Sequence, residues 1–437
     1  LKSPFQAAAA YGRPPTMDMA DDFRQSFRRV KDQVCKLSDE VAALRECLDE
    51  AGILRGDTVL ARLHRWRFAR ARRRHPCFTS ASLTQVLRAR ELALGLAGAA
   101  GPPAVMALAA ACRCAGGSVA DVIPALDALY PRRVFICGGM DAAKQRLCSA
   151  EVYDPAAGAW VALPPMLEGR SGSSAAVVAG SLCVCGGRAD STRCLASVER
   201  FDPGLGAWSV LPPMPQRRAH AAAAVAHGRL HVCGGFDGAQ YLASGACLAL
   251  AGGGGWEPLP AMSERRSHAV AASVAGQLYV CGGKGEGSQR LSSVERLSLG
   301  ADAWEPLVPM LQRRSQAAAA VVAGALHVCG GFDGVQHLRS VEHLGRATRA
   351  WAPDPPMLEC RSSAAASPLS GRVYVCGGFD GSHHLRSVEV FDVARQTWSQ
   401  LRPMLVARAH AVGATLWSPR QPCWRGGPQA SDAQEKQ

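Results

Sequence analysis

The sequence predicts an all-β six-bladed β-propeller, preceded by an α-helical N-terminal region with a coiled-coil segment. Three observations predict it. From about residue 131 onward, four landmarks recur in six copies at a period of 47 or 48 residues: a Gly-Gly pair after Cys, a Trp, a Met and an Arg. Each copy divides into four short runs with strand composition, separated by turn signals. The two ends of the repeat region are partial copies that complement one another. A four-stranded unit repeated at this period is the pattern of a propeller.

Composition sets the outer bounds. The chain has 437 residues, 48% hydrophobic and 19% charged, which excludes wholesale disorder. The 49 Lys+Arg against 36 Asp+Glu give a net charge of +13, which fits an acidic partner. Seventeen Cys without a CxxC or zinc-finger spacing imply free thiols rather than a disulfide framework or a metal site. No apolar signal sequence opens the chain, and Met17 or Met19 offers an alternative start. The expected compartment is the cytoplasm, with the nucleus as an alternative.

Residues 1–16 are expected to form a disordered leader. Over 17–52, Phe23, Phe27, Val30, Val34, Leu37, Val41, Leu44 and Leu48 alternate in steps of four and three, an a/d stripe. Valines at a and leucines at d favour a parallel dimer, so a homodimer through 23–48 is expected, against the alternative of an amphipathic helix on the chain's own core. Residues 53–79 are basic. Seven Arg between Arg62 and Arg74, with Trp66 and Phe68 between them, permit contact with nucleic acid or an anionic membrane, or simply a solvated helix face. Residues 80–130 read as short helices. Leu92 to Cys112 lacks charge and is long enough to cross a bilayer. Its Ala/Gly content and Pro102-Pro103 favour soluble helices instead.

The propeller is assigned to 131–417. The Gly pairs begin at 138, 186, 234, 282, 330 and 377, and each ends a strand where side chains would obstruct the bend. The preceding Cys and the Trp residues belong to blade cores. The third copy lacks the Ser-Val-Glu-x-Phe-Asp strand and reads Ser244-Gly245-Ala246-Cys247-Leu248, which predicts a looser outer edge. The fourth has Gly283-Lys284-Gly285-Glu286-Gly287 in its loop. The first copy begins at its second strand, and Ala409 to Trp417 reads as a first strand with nothing after it. That C-terminal strand is expected to complete blade one and leave no open edge. Residues 418–437 are expected to be a disordered tail.

The motif Cys-Gly-Gly-Phe-Asp-Gly, then Ser-Val-Glu-x-Phe-Asp, Trp and Pro-Met-x-x-x-Arg, resembles the kelch repeat. The meander order puts the Arg connection and the Gly-Gly loop on one face. Arg170, Arg218, Arg266, Arg314, Arg361 and Arg408 are therefore candidates to ring the central opening. Beside them stand the residues that follow the Gly pairs, among them Met140, Arg188 and Lys284, with Phe236, Phe332 and Phe379 as apolar anchors. Guanidinium groups interleaved with Phe suit an acidic peptide or protein surface. The alternative is that each Arg bonds neighbouring backbone and holds blades together. In kelch domains of BTB-kelch ubiquitin-ligase adaptors, the corresponding positions contact substrate peptides, and the resemblance implies the same here. No BTB or BACK domain is recognisable before the propeller.

The expected function is a non-enzymatic protein-interaction scaffold, with no cofactor and no metal. The alternative is a substrate-recognition subunit of a cullin-type ubiquitin ligase. A third reading, a kelch-fold enzyme such as a copper oxidase or sugar mutarotase, lacks a converging His/Tyr set or an acid/base pair. His220, His268 and His410 each follow a repeat Arg by two residues.

Overall fold

A computed structural model describes residues 131–250, 255–298, 300–345 and 348–418. The leader, coiled coil, basic segment and short helices predicted before residue 131 lie outside the described residues, as does the tail from 419. Among the described residues no helix is long and apolar enough to cross a membrane.

Six four-stranded antiparallel sheets form the propeller. The second blade shows the pattern: β4 (Ser174–Val178), β5 (Ser181–Cys185), β6 (Val198–Asp202) and β7 (Ala207–Leu211), each paired with the next. The innermost strands are built from small residues, such as Ser-Ala-Ala-Val-Val in β4 and Ala-Ala-Ala-Val-Val in β16 (Ala318–Val322). Six strands converging on one axis leave room for little else. The turns after these strands, for example Ala179-Gly180 and His227-Gly228, have positive φ at both residues, the geometry of tight hairpins.

Apolar clusters sit between neighbouring blades. Phe135 and Val152 of blade one, for instance, pack with Leu182, Val184 and Phe201 of blade two. Each repeat Trp adds a polar stitch, its indole N–H donating to a carbonyl of the preceding blade. Trp208 bonds Pro164 at 2.9 Å and Trp304 bonds Pro260 at 2.9 Å. Trp160, Trp304 and Trp351 are buried, whereas Trp208, Trp256 and Trp398 are only partly covered. The Cys before each Gly pair is buried, and burial pushes the thiols of Cys137, Cys233, Cys281, Cys329 and Cys376 up to about 12. They stay protonated and act as small apolar side chains.

The ring closes as the partial copies require. The last strand, β24 (Val412–Trp417), pairs antiparallel with β1 (Arg132–Cys137) in a register running from Arg132↔Trp417 to Cys137↔Val412. Ser418, which the sequence reading places in the tail, is instead buried, and its N–H donates to the Pro131 carbonyl at 3.2 Å. The third blade keeps all four strands, with β10 (Gly245–Ala249) paired on both sides. Its departure in sequence costs an ion pair rather than a strand.

Candidate protein-interaction site

The six repeat arginines do not ring the opening. Arg170, Arg218, Arg266, Arg314, Arg361 and Arg408 are all buried, at 0–3% exposure. Each guanidinium reaches into its own blade. Arg266 donates to the carbonyls of Gly282 and Ser293 and pairs with Glu295 at 2.6 Å. Arg170, Arg314, Arg361 and Arg408 pair in the same way with Glu199, Glu342, Glu389 and Glu151. The alternative, an arginine that bonds neighbouring backbone, is therefore the correct one for these six. An extended chain with an Arg before each inner strand can satisfy the Gly-Gly loop's carbonyls only by turning the side chain inward.

The carboxylate completes the arrangement on its other side. Glu295 accepts the Ser263 N–H at 2.7 Å, and Glu342, Glu389 and Glu151 accept those of Leu311, Leu358 and Leu405 at 2.7 Å. In the third blade the carboxylate position is Ala246, and the position that would donate the N–H is Pro215. Acceptor and donor are lost together. Arg218 is left to carbonyls, Ser244 and Gln216, and burial lowers its pKa. Ala246→Glu alone is expected to give little stability, because Pro215 cannot donate to it. Adding Pro215→Leu should show a favourable coupling of about 1.5 kcal/mol in a double-mutant cycle of unfolding free energies.

The double glycines bring the blades together. Gly234 has φ +64, and a Cβ there would lie 2.4 Å from the Arg266 carbonyl of the next blade. Two residues beyond each repeat Arg, the backbone forms a belt. Gly172, His220, His268, Gln316, Ser363 and His410 all have positive φ, between 53° and 59°. Each N–H donates to the carbonyl of the one before, at 2.6–3.0 Å, and Gly172 donates to His410 to close the circle. The left-handed conformation is unfavourable for five of these residues, and the closed set of hydrogen bonds offsets it.

Three imidazoles of the belt gather on the axis. His220 stacks on His268 with ring centroids 3.8 Å apart, and His410 lies 5.3 Å from His220. Burial and repulsion from neighbouring imidazoles push His220 and His268 well below the usual imidazole value, and burial with repulsion from His384, Arg146 and Arg188 pushes His410 down to about 4. An unfolded chain would take up protons that these groups refuse when folded. Their contribution to stability is therefore complete above the ordinary value of 6.5 and is lost as pH falls toward about 4. Because the rings are only half-buried, the effect is moderated by solvent. Thermal scans at descending pH should show this loss. Replacing all three by Gln, the residue the belt carries at Gln316, should flatten it.

Above the belt lies a cavity of about 330 Å³, whose lining includes Arg146, Arg188, Lys284, Phe236 and Tyr241. A second cavity of about 710 Å³ on the same face shares Met140, Gln316 and His410 with it, and is bounded by Arg290, Phe332, His337 and Phe379. Phe236, Phe332 and Phe379 are half-buried and line these cavities. Cations lie against the rings: Arg188 is 5.2 Å from the Phe236 centroid, Arg290 5.1 Å from Phe332, and Lys284 5.5 Å from Tyr241. Arg146, Arg188, Lys284 and Arg290 have no carboxylate within 4.0 Å among the described residues. The nearby loop aspartates are engaged otherwise. Asp237, for example, accepts the N–H groups of Gln240 and Ala239, which hold its carboxyl below the usual range.

The sequence locates Arg188 and Lys284 as the residues after the Gly pairs. Sequence reasoning misses the residues across the loops, Arg146, Tyr241, Arg290, His337 and His384, which are bridged or paired with Met140, Phe236, Lys284, Phe332 and Phe379 respectively. Their signal is positional: each falls five or six residues after the ring residue that it faces.

Five segments of the chain, 128–167, 169–215, 265–311, 313–358 and 360–405, match the family model for the Kelch motif. The chain belongs to the kelch-repeat family. The kelch propeller's unmatched stretch is its third blade, which lacks the buried Glu. No curated protein matches the chain. Among solved structures, that of YjhT superposes with a TM-score of 0.53 at 14% identity, covering 61% of this chain and 97% of that one. At that identity the likeness speaks for the fold alone.

Proposed function

We propose that this kelch protein is a non-enzymatic interaction scaffold whose propeller takes an acidic segment of a partner protein across the axial mouth. The supporting observation is the set of four cations at that mouth, Arg146, Arg188, Lys284 and Arg290, without carboxylate partners, the last three beside aromatic rings. Guanidinium groups offer paired donors to carboxylates, and the flanking Phe and Tyr faces take the apolar side chains between them. The buried repeat arginines contribute to the rigidity of this surface and not to its charge.

The reading is tested with the full-length protein and a fluorescein-labelled peptide alternating Glu with Leu and Gly, followed by anisotropy. The triple variant Arg188→Glu, Lys284→Glu, Arg290→Glu should bind at least about tenfold more weakly, equivalent to roughly 1.4 kcal/mol, with thermal unfolding unchanged. Equal binding by the variant, or equal binding of a Lys-rich peptide by the wild type, contradicts it.

A further inference from the structure

In the fifth blade, three ligand-type side chains meet across three adjacent strands. His327 lies on β17 (Ala325–Cys329), His343 on β18 (Val341–Leu344) and Asp354 on β19 (Trp351–Asp354). Nδ1 of His327 is 2.8 Å from one carboxylate oxygen of Asp354, and Nδ1 of His343 is 2.9 Å from the other. One donor atom from each of the three lies within 4.8 Å of the others. The side chains of His327 and Asp354 are 2% and 1% exposed, while His343 is 29% exposed and opens the cluster to solvent.

Strand register shows how unusual this is. Asp354 pairs with Val341. The matching positions of the other five blades hold Leu163, Leu211, Leu259, Leu307 and Leu401. A carboxylate buried where the fold otherwise packs leucine carries a large desolvation penalty unless it is paired. A second polar cost sits beside it: Nε2 of His327 is buried without a hydrogen-bond partner. The third blade provides a contrast. His231 occupies the His327 position there, but Cys247 lies across from it and Leu259 stands in place of Asp354. Its Nδ1 meets the Arg229 carbonyl of its own strand. Histidine at this strand position therefore does not by itself create the cluster.

We propose that His327, His343 and Asp354 form a site for a divalent transition-metal ion, with Zn²⁺ as its occupant. Two imidazole nitrogens and one carboxylate oxygen are the donor set such an ion prefers, with bonds of about 2.0–2.2 Å. The donor atoms are close enough for small side-chain rotations to reach those lengths. An entering ion binds Nδ1 of each imidazole, and the proton displaced from that nitrogen moves to Nε2 of the same ring, so each ring stays neutral as a ligand. Three protein ligands leave a fourth position for water, on the open side next to His343.

The test compares zinc stoichiometry of the full-length protein, stripped with chelator and then titrated with Zn²⁺, between wild type and Asp354→Leu. That substitution installs the residue that the other five blades use, so the fold is retained. His343→Val, which copies Val152 and Val390, serves as a second variant. Both should bind one equivalent fewer than wild type and lose part of the zinc-induced rise in Tm. His231→Ala should bind as wild type does. Zinc held elsewhere by cysteines cancels in the difference. Unchanged stoichiometry in both variants, or loss of the same equivalent in His231→Ala, overturns the proposal.

Discussion

Arg266→Ala is expected to destabilise the propeller by about 3–5 kcal/mol, because it leaves Glu295 buried, charged and without its cation. Glu295 would keep only the Ser263 N–H, and the carbonyls of Gly282 and Ser293 would lose their donor. For a domain of this size the loss corresponds to a fall in Tm on the order of 10 °C. Arg218→Ala should cost less, about 1–3 kcal/mol, since it strands carbonyls but no carboxylate. The comparison separates the ion pair from the backbone contacts common to all six arginines. Equal losses in the two variants would mean that the pair contributes nothing beyond those contacts. Charge reversal at these six positions cannot report on partner binding, because it would unfold the blade first.

Ending the chain after Ala411 is expected to abolish the closed ring. The truncation removes β24, and with it six backbone pairings to β1 and the buried Leu416. Blade one would then present β1 as an unpaired edge, open to pairing with other chains. The Arg408 anchor would survive in sequence, but the strand that follows it would not hold its blade. Size-exclusion chromatography should show aggregates where the chain ended after Ser418 gives a monodisperse species. Adding a peptide spanning 409–418 in trans should restore soluble, cooperatively unfolding protein. A monodisperse, cooperative truncation without the peptide would show that closure does not depend on this strand.

The period and the complementary ends make the propeller legible in the sequence. Repeat spacing fixes where a residue stands on the chain, and through strand order which face it approaches. It does not say whether a long side chain turns inward or outward. Spacing alone therefore places the six arginines at the opening, where they are not found. Their partner is present in the repeated strand motif: Glu199, Glu295, Glu342 and Glu389 each follow a valine, and Glu151 follows Ala150. The third copy loses Glu at 246 and has Pro at 215, a joint departure that marks a shared contact. The loop residues are easier to place, because a polar loop offers no interior in which to hide Arg188 or Lys284. The pairing of Arg290 with Lys284 depends on a strand register that spacing does not determine. Asp354 stands out as an acid among five leucines when the copies are aligned on their strand pairing. Its two histidines come from strands whose register the repeat period alone leaves open.

Hydrogen–deuterium exchange of the full-length protein, with and without the Glu-containing peptide, maps where an acidic ligand sits. Slowed exchange is expected in the loops that follow the Gly pairs, from 187 to 193, 235 to 241, 283 to 290 and 331 to 337. The hairpin turns of the opposite face, such as Ala179-Gly180 and Ala323-Gly324, should be unaffected. Protection confined to those turns, or to residues before 131, would contradict it.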